Sequence, residues 1–113
     1  MNAFVVKGRD VAGVPCPCGT ARRILTPESG GPCSIHRVAI SRDAKKHYHK
    51  KMTECYIILS GEGQIELDDQ LHDVGPDDVV CIPPLTPHAL RGHFEIINIV
   101  LPAFDPADEY VVE

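Results

Sequence analysis

The chain has 113 residues, a formal net charge of −5, and ordinary shares of hydrophobic (43%) and charged (24%) residues. That length suits one soluble domain with a single core. With this acidic balance nothing points to a nucleic-acid partner, which demands clustered Lys and Arg. No apolar run approaches the roughly 18 residues of a membrane helix.

Ten prolines and nine glycines punctuate short apolar runs, and no segment carries a sustained helical stripe. This pattern predicts an all-β domain, a sandwich or barrel, spanning residues 1–113 without repeats or linkers. Residues 1–8 lack a signal-peptide core, so a cytoplasmic location is expected. The odd number of cysteines, Cys16, Cys18, Cys33, Cys55 and Cys81, then reads as reduced thiols.

In chain order, residues 4–7 are a candidate first strand, and residues 11–20, with two prolines, read as loop. Residues 21–25 and 34–40 read as strands, separated by a turn region rich in Gly and Pro. Residues 54–59 (ECYIIL) form the strongest strand of the chain. Glu54, Tyr56 and Ile58 share one face, and Cys55, Ile57 and Leu59 the other. Both faces are largely apolar, which predicts a cover on each. One face would meet the barrel interior, and the other the N-terminal segment or a second subunit, hence an expected homodimer.

Gly61 to Gly63 read as a tight turn, and residues 64–67 and 71–74 as a hairpin around Asp68 and Asp69. Residues 79–82 read as a buried strand, and the Pro-rich run 83–87 as a rigid bend. His88 resumes extended structure, Arg91 and Gly92 turn, and residues 94–101 form the last long strand. Residues 104–113 are expected to pack on the outside.

His47, His49 and Glu54 stand in the pattern His-x-His, four residues, Glu, then six residues to Gly61. Two imidazoles two residues apart on a strand face the same way. A hairpin then returns Glu54 to them, and His, His and Glu aimed at one point suit a first-row divalent metal. His88, held after the proline bend, is the candidate fourth ligand.

The stretch from His47 to Gly61 resembles the first conserved motif of the cupin superfamily, G(x)5HxH(x)3–4E(x)6G. The stretch from Gly75 to His88 is similar to the second, G(x)5PxG(x)2H(x)3N. Three positions depart: no glycine precedes His47 where one is usual, Arg42 standing five residues before it, Thr86 stands for the inner glycine of the second motif, and Gly92 for its asparagine. All the ligand positions are occupied. The resemblance implies a double-stranded β-helix, or jelly-roll, barrel with its conserved core at about residues 33–102. It also implies a metal inside the barrel and frequent dimers.

Three His and one Glu suit Fe(II), Mn(II), Ni(II), Zn(II) or Cu(II), and on a six-coordinate ion they leave positions for substrate or dioxygen. A closed structural tetrahedron is the bland alternative. The expected function is a metal-dependent enzyme acting on a small molecule, with dioxygenase-like oxidoreduction leading. A metal-assisted isomerase or epimerase on a sugar or sugar phosphate comes second, and a binding protein without turnover third. No separate acid or base stands out.

The remaining residues carry weaker expectations. Tyr56 is a pocket candidate. Met52 reads as an exposed turn residue, Cys81 as a buried small hydrophobe, and His36, His72 and His93 as solvent-facing. Arg37, Arg91 and Lys45, Lys46, Lys50, Lys51 read first as surface groups, with an anion-attracting rim as the sharper alternative for the lysines. Cys16, Cys18, Cys33 and His36 superficially resemble a zinc site, but the first spacing is short and a strand would put Cys33 and His36 on opposite faces.

Overall fold

The structure is a computed structural model that describes residues 2–113. It is all-β: nine strands and two short 3-10 turns. The strands are β1 (Gly13–Cys16), β2 (Gly19–Leu25), β3 (Ser34–Ile40), β4 (His47–Tyr48), β5 (Thr53–Leu67), β6 (Gln70–Val74), β7 (Val79–Ile82), β8 (His88–Leu101) and β9 (Tyr110–Val111). They form a curled jelly-roll sheet in the order β1-β2-β3-β8-β4-β9, with β5 joining β8 to β6 and β7.

The long strands β5 and β8 are its spine. They pair antiparallel from Thr53–Leu101 to Leu67–His88, with one register shift between Ile58 and Ser60. The turns predicted at Gly61–Gly63 and Arg91–Gly92 are therefore bends inside continuous strands. The glycines serve close approach instead. Gly61 has φ of 92°, and a Cβ there would lie 2.1 Å from the His93 carbonyl oxygen. Such glycines mark the corner of a curled sheet.

Alternation along each strand fills the interior. Ile58, Ile65, Ile82, Ile96 and Val100 are buried, joined by Val38, Ile40, Leu90 and Phe94. On β7, Val80 and Ile82 point in while Val79 and Cys81 are exposed, so Cys81 is not the buried hydrophobe expected. The outer face of β5 carries half-buried Cys55 and Ile57 and exposed Leu59.

Three further expectations change. The stretch read as loop contains β1, because Pro15 sits on an edge strand paired with β2 alone among the described residues, where the missing N–H is tolerated. Residues 4–7 form no strand, and Phe4 and Val5 are exposed. The C-terminal segment is an integral wall: Asp108 is buried, and β9 pairs with β4. The hairpin of β5 and β6, the bend after β7 and the strands at 34–40 and 94–101 lie where the sequence places them.

Candidate metal centre

Each ligand position is fixed by a different device. His47 lies on β4, whose register sets it opposite His88 of β8 and Val111 of β9. His49 follows the end of β4, and its carbonyl accepts from the Leu85 amide at 2.6 Å, tying it to the proline bend. Glu54 lies on β5, between Ile82 of β7 and Val100 of β8. Leu85 takes φ of 67° three residues before His88, so Leu85, not Thr86, stands at the inner glycine of the second motif. There it turns the chain into β8.

One ligand atom from each of His47, His49, Glu54 and His88 lies within 4.8 Å of all the others, so the cluster could hold a metal ion. His49, Glu54 and His88 are buried. His47 Nδ1 is 2.7 Å from the Lys45 carbonyl and His88 Nδ1 is 2.8 Å from the Thr86 carbonyl. A carbonyl only accepts, so each Nδ1 carries a proton and donates it, and in the neutral ring Nε2 keeps its lone pair. This arrangement orients metal-binding imidazoles. His88 Nε2 is buried and has no hydrogen-bond partner, although Glu54 Oε1 lies 3.2 Å away. Two acceptor atoms facing one another in a buried site call for a proton or a metal ion between them.

The carboxylate is held from its other side as well. Asn98 Nδ2 donates to Glu54 Oε2 at 2.7 Å, and the Tyr56 hydroxyl donates to Oε1 at 3.4 Å. Burial would raise the Glu54 pKa, but the contacts with His88 and Asn98 and the nearby His49 outweigh it and hold it below the ordinary value. Burial, then the neighbouring Glu54, keeps the Tyr56 phenol protonated well past its usual range, so it remains a donor. Burial also lowers the pKa of His49 against the opposing pull of Glu54.

The cluster opens on a cavity of about 250 Å³. Tyr56 lines it, as the sequence suggests. Met52 lines it too and is only 3% exposed, because the Asp105 amide and the C-terminal arm close over it. His36 is 4% exposed rather than solvent-facing, since it points inward from β3 against Phe104. His72 and His93 are exposed.

None of the four lysines lines the cavity. Lys46 pairs with Glu66, and Lys50 lies over the Tyr110 ring. Arg37 and Arg91 pair with Glu95 and Glu66.

Cys16 and Cys18 bring their Sγ atoms to 3.8 Å on the cavity wall. Burial, and then Cys16, pushes the Cys18 thiol up to about 12, which leaves it protonated. Cys33 and His36 form no metal-capable group with them among the described residues.

Sequence reasoning missed Glu109. Its Oε1 lies 3.6 Å from His47 Nε2, the ring nitrogen that faces the cluster. The arm that carries it is stapled down. Asp108 accepts backbone N–H groups of Lys50, Lys51 and Met52 at 2.9–3.0 Å. Tyr110 stacks on Tyr48, and the Val112 amide donates to the Lys46 carbonyl. The signal was present as Asp-Glu beside an aromatic, but nothing local shows that this segment returns to β4.

Comparisons with known proteins agree with this architecture. An uncharacterised protein of Methanocaldococcus jannaschii is 31% identical over 100 residues, covering 81% of this chain and 80% of its own. A Planctomyces limnophilus protein of known structure is 36% identical, with a TM-score of 0.88, over 97% of this chain and 96% of that one. Two more distant structures share the fold. Streptomyces Pac13 bound to uridine, a nucleoside dehydratase, is 20% identical with a TM-score of 0.84, over 99% of this chain and 92% of that one. Ectoine synthase from P. lautus is 17% identical with a TM-score of 0.81, over 98% and 91%. The cupin-domain family pattern matches residues 34–100, from the start of β3 nearly to the end of β8, and the chain belongs to that family.

Proposed function

We propose that the protein is a metal-dependent enzyme acting on a small molecule, with His47, His49, Glu54 and His88 as the ligands of one divalent transition ion. The observation that carries this reading is the buried, unpartnered Nε2 of His88 facing the Glu54 carboxylate at 3.2 Å. Bound there, the ion would supply a Lewis acid for a substrate oxygen or, if redox-active, a centre for dioxygen chemistry. The donor set admits Fe, Mn, Ni, Zn and Cu.

The chain's own residues suggest how a substrate is handled. The carbonyls of Lys45 and Thr86 orient two of the imidazoles. Tyr56 and Asn98 hold the carboxylate in place. Val38, Ile40, Leu90 and Ile96 give the cavity an apolar lining that excludes water from the reacting groups. Glu109 stands at the cluster's open side, where its carboxylate can accept a proton from a bound substrate.

That carboxylate favours non-oxidative, proton-transfer chemistry of the isomerase or dehydratase kind. The dehydratase among the structural neighbours performs chemistry of this class, and a ligand such as uridine is consistent with a small-molecule substrate. Oxygen-dependent, dioxygenase-like chemistry is the second reading, supported by a ligand set that leaves positions on a six-coordinate ion free. Binding without turnover is the third class, and the turnover assay below separates it from the other two.

The test is a turnover screen of small polar metabolites with the metal-loaded protein, under air and under argon. Proton-transfer chemistry predicts equal turnover in both atmospheres. It also predicts a fall in kcat of about a hundredfold or more in Glu109→Gln with the metal retained. Turnover that requires oxygen, or Glu109→Gln at full activity, contradicts it.

We also propose a homodimer through the outer apolar face that carries Cys55, Ile57, Leu59 and Val79. Light scattering at micromolar concentration should give twice the chain mass of 12.4 kDa, and a monomer would rule the dimer out.

A further inference from the structure

The cavity has a second polar end. The sheet register sets Arg23 opposite His36, His36 opposite Asn98, and Asn98 opposite Tyr56. Side chains directly opposite one another share a face, so β2, β3, β8 and β5 present one polar row to the cavity that holds the metal cluster. The row on one side of it is apolar, with Ala21, Val38, Ile96 and Ile58, and the row on the other holds Ser34, Val100 and Glu54.

Part of this row is already committed. The Tyr56 hydroxyl and Asn98 Nδ2 donate to Glu54. The rest makes no side-chain hydrogen bond among the described residues. Asn98 Oδ1 is buried and accepts no hydrogen bond. Arg23 makes no ion pair among the described residues, whereas Arg37 and Arg91 each have a carboxylate. Its guanidinium lies 5.1 Å from the centre of the Phe104 ring, and His36 meets the same ring edge-on at 5.1 Å. Stacking on an aromatic face fixes a guanidinium while leaving its in-plane N–H groups free. Burial, then the nearby Arg23, holds the His36 pKa below its ordinary value despite the pull of Glu54. A neutral imidazole both donates and accepts. The acidic residues that line the cavity besides Glu54 are Asp105 and Glu109, both on the C-terminal arm, and Glu109 sits at the metal end.

We propose that Arg23, with His36 beside it and Asn98 one strand further along the row, is a subsite for the oxyanion end of a small hydroxylated substrate whose other end meets the metal cluster. The inference rests on the metal-centre reading for the reacting end of the substrate, but the anion subsite needs no metal of its own. A guanidinium fork matches a carboxylate or a phosphate bidentately. A hydroxyl next to that anion would donate to Asn98 Oδ1 and relieve its buried, unmet valence. The substrate class is therefore a hydroxy acid or a sugar phosphate, with carboxylate and phosphate as the two anions to be distinguished.

The test is a titration of metal-free protein with inorganic phosphate and, separately, with acetate, followed through the His36 ring resonances, which His36→Gln assigns. At least one anion should shift them saturably, and the tighter of the two identifies the anion class. Arg23→Gln should weaken that binding about tenfold or more, and Arg23→Lys should restore part of it. Arg37→Gln, on the opposite face of β3, should leave it unchanged. Absence of a saturable His36 shift with either anion, or equal affinity in Arg23→Gln, overturns the subsite. His49→Ala keeps the two claims apart. Anion binding that survives there while metal binding is lost supports the subsite, and metal uptake by the wild type without anion binding overturns the subsite alone.

Discussion

His88 Nε2 and Glu54 Oε1 lie 3.2 Å apart in a buried site, with the imidazole proton committed to the Thr86 carbonyl on the far side of the ring. Two acceptor atoms held this close need a proton or a metal ion between them. The polypeptide maintains this arrangement through three elements: the β5–β8 register, the proline bend and the left-handed Leu85.

Metal should therefore stabilise the fold as well as the site. At a free concentration a hundredfold above its Kd, a bound ion adds about 2.7 kcal/mol. For a domain of this size that raises Tm by roughly ten degrees or more. Differential scanning calorimetry with and without metal measures it. His88→Ala should lose the metal-dependent increment, because it removes a ligand.

Asp108 should control the arm that carries Glu109. Asp108→Ala removes the acceptor of the Lys50, Lys51 and Met52 amides, and hydrogen exchange at these amides should speed up markedly. Burial works against ionisation of this carboxyl, but the three amides outweigh it and lower its pKa. The sign follows from linkage. Its contribution to stability is complete above the unfolded carboxyl value of about 4 and is lost as pH falls below it. The acid limb of the stability curve should flatten in Asp108→Ala, and an unchanged limb would show that the amide cradle is not formed in solution.

His36 should make stability depend on pH over a higher range. Its folded pKa is depressed, first by burial and then by Arg23. As pH falls below about 6.5, the unfolded chain takes up a proton that the folded chain refuses, so stability falls with it. Urea midpoints at pH 7.5 and 5.5 should differ less in His36→Gln than in the wild type. The slope should shrink without vanishing, since His49 is depressed in the same direction.

The two faces of β5 should respond differently to truncation. Ile58 is 0% exposed in the barrel core, and Ile58→Ala should cost about 2–5 kcal/mol. Leu59 is 39% exposed, next to the register shift, and Leu59→Ala should stay within about 0.5 kcal/mol in the monomer. Chemical denaturation of the two variants checks the contrast.

The sequence revealed what depends on local spacing. His47, His49 and Glu54 fall within eight residues, and the proline run before His88 is a strong local signal. What stayed hidden depends on pairing across the sheet. Gly61, Gly63 and Gly92 look like turn glycines until β5 and β8 are seen to cross there. His36 has no ligand spacing, and only its alignment with Arg23 and Asn98 places it in the polar row of the cavity. Met52 and Glu109 become part of the cavity because the C-terminal arm folds back onto β4, a contact that no periodicity encodes.

The most direct test of the central claim is metal stoichiometry. Wild-type protein and His88→Ala, both shown to be folded by circular dichroism, are incubated with Fe(II), Mn(II), Ni(II), Zn(II) or Cu(II), desalted and analysed for bound metal. The account predicts about one equivalent of at least one of these ions in the wild type, and a large loss in His88→Ala. Wild-type protein that retains none of them, or a variant that retains as much as the wild type, would contradict it.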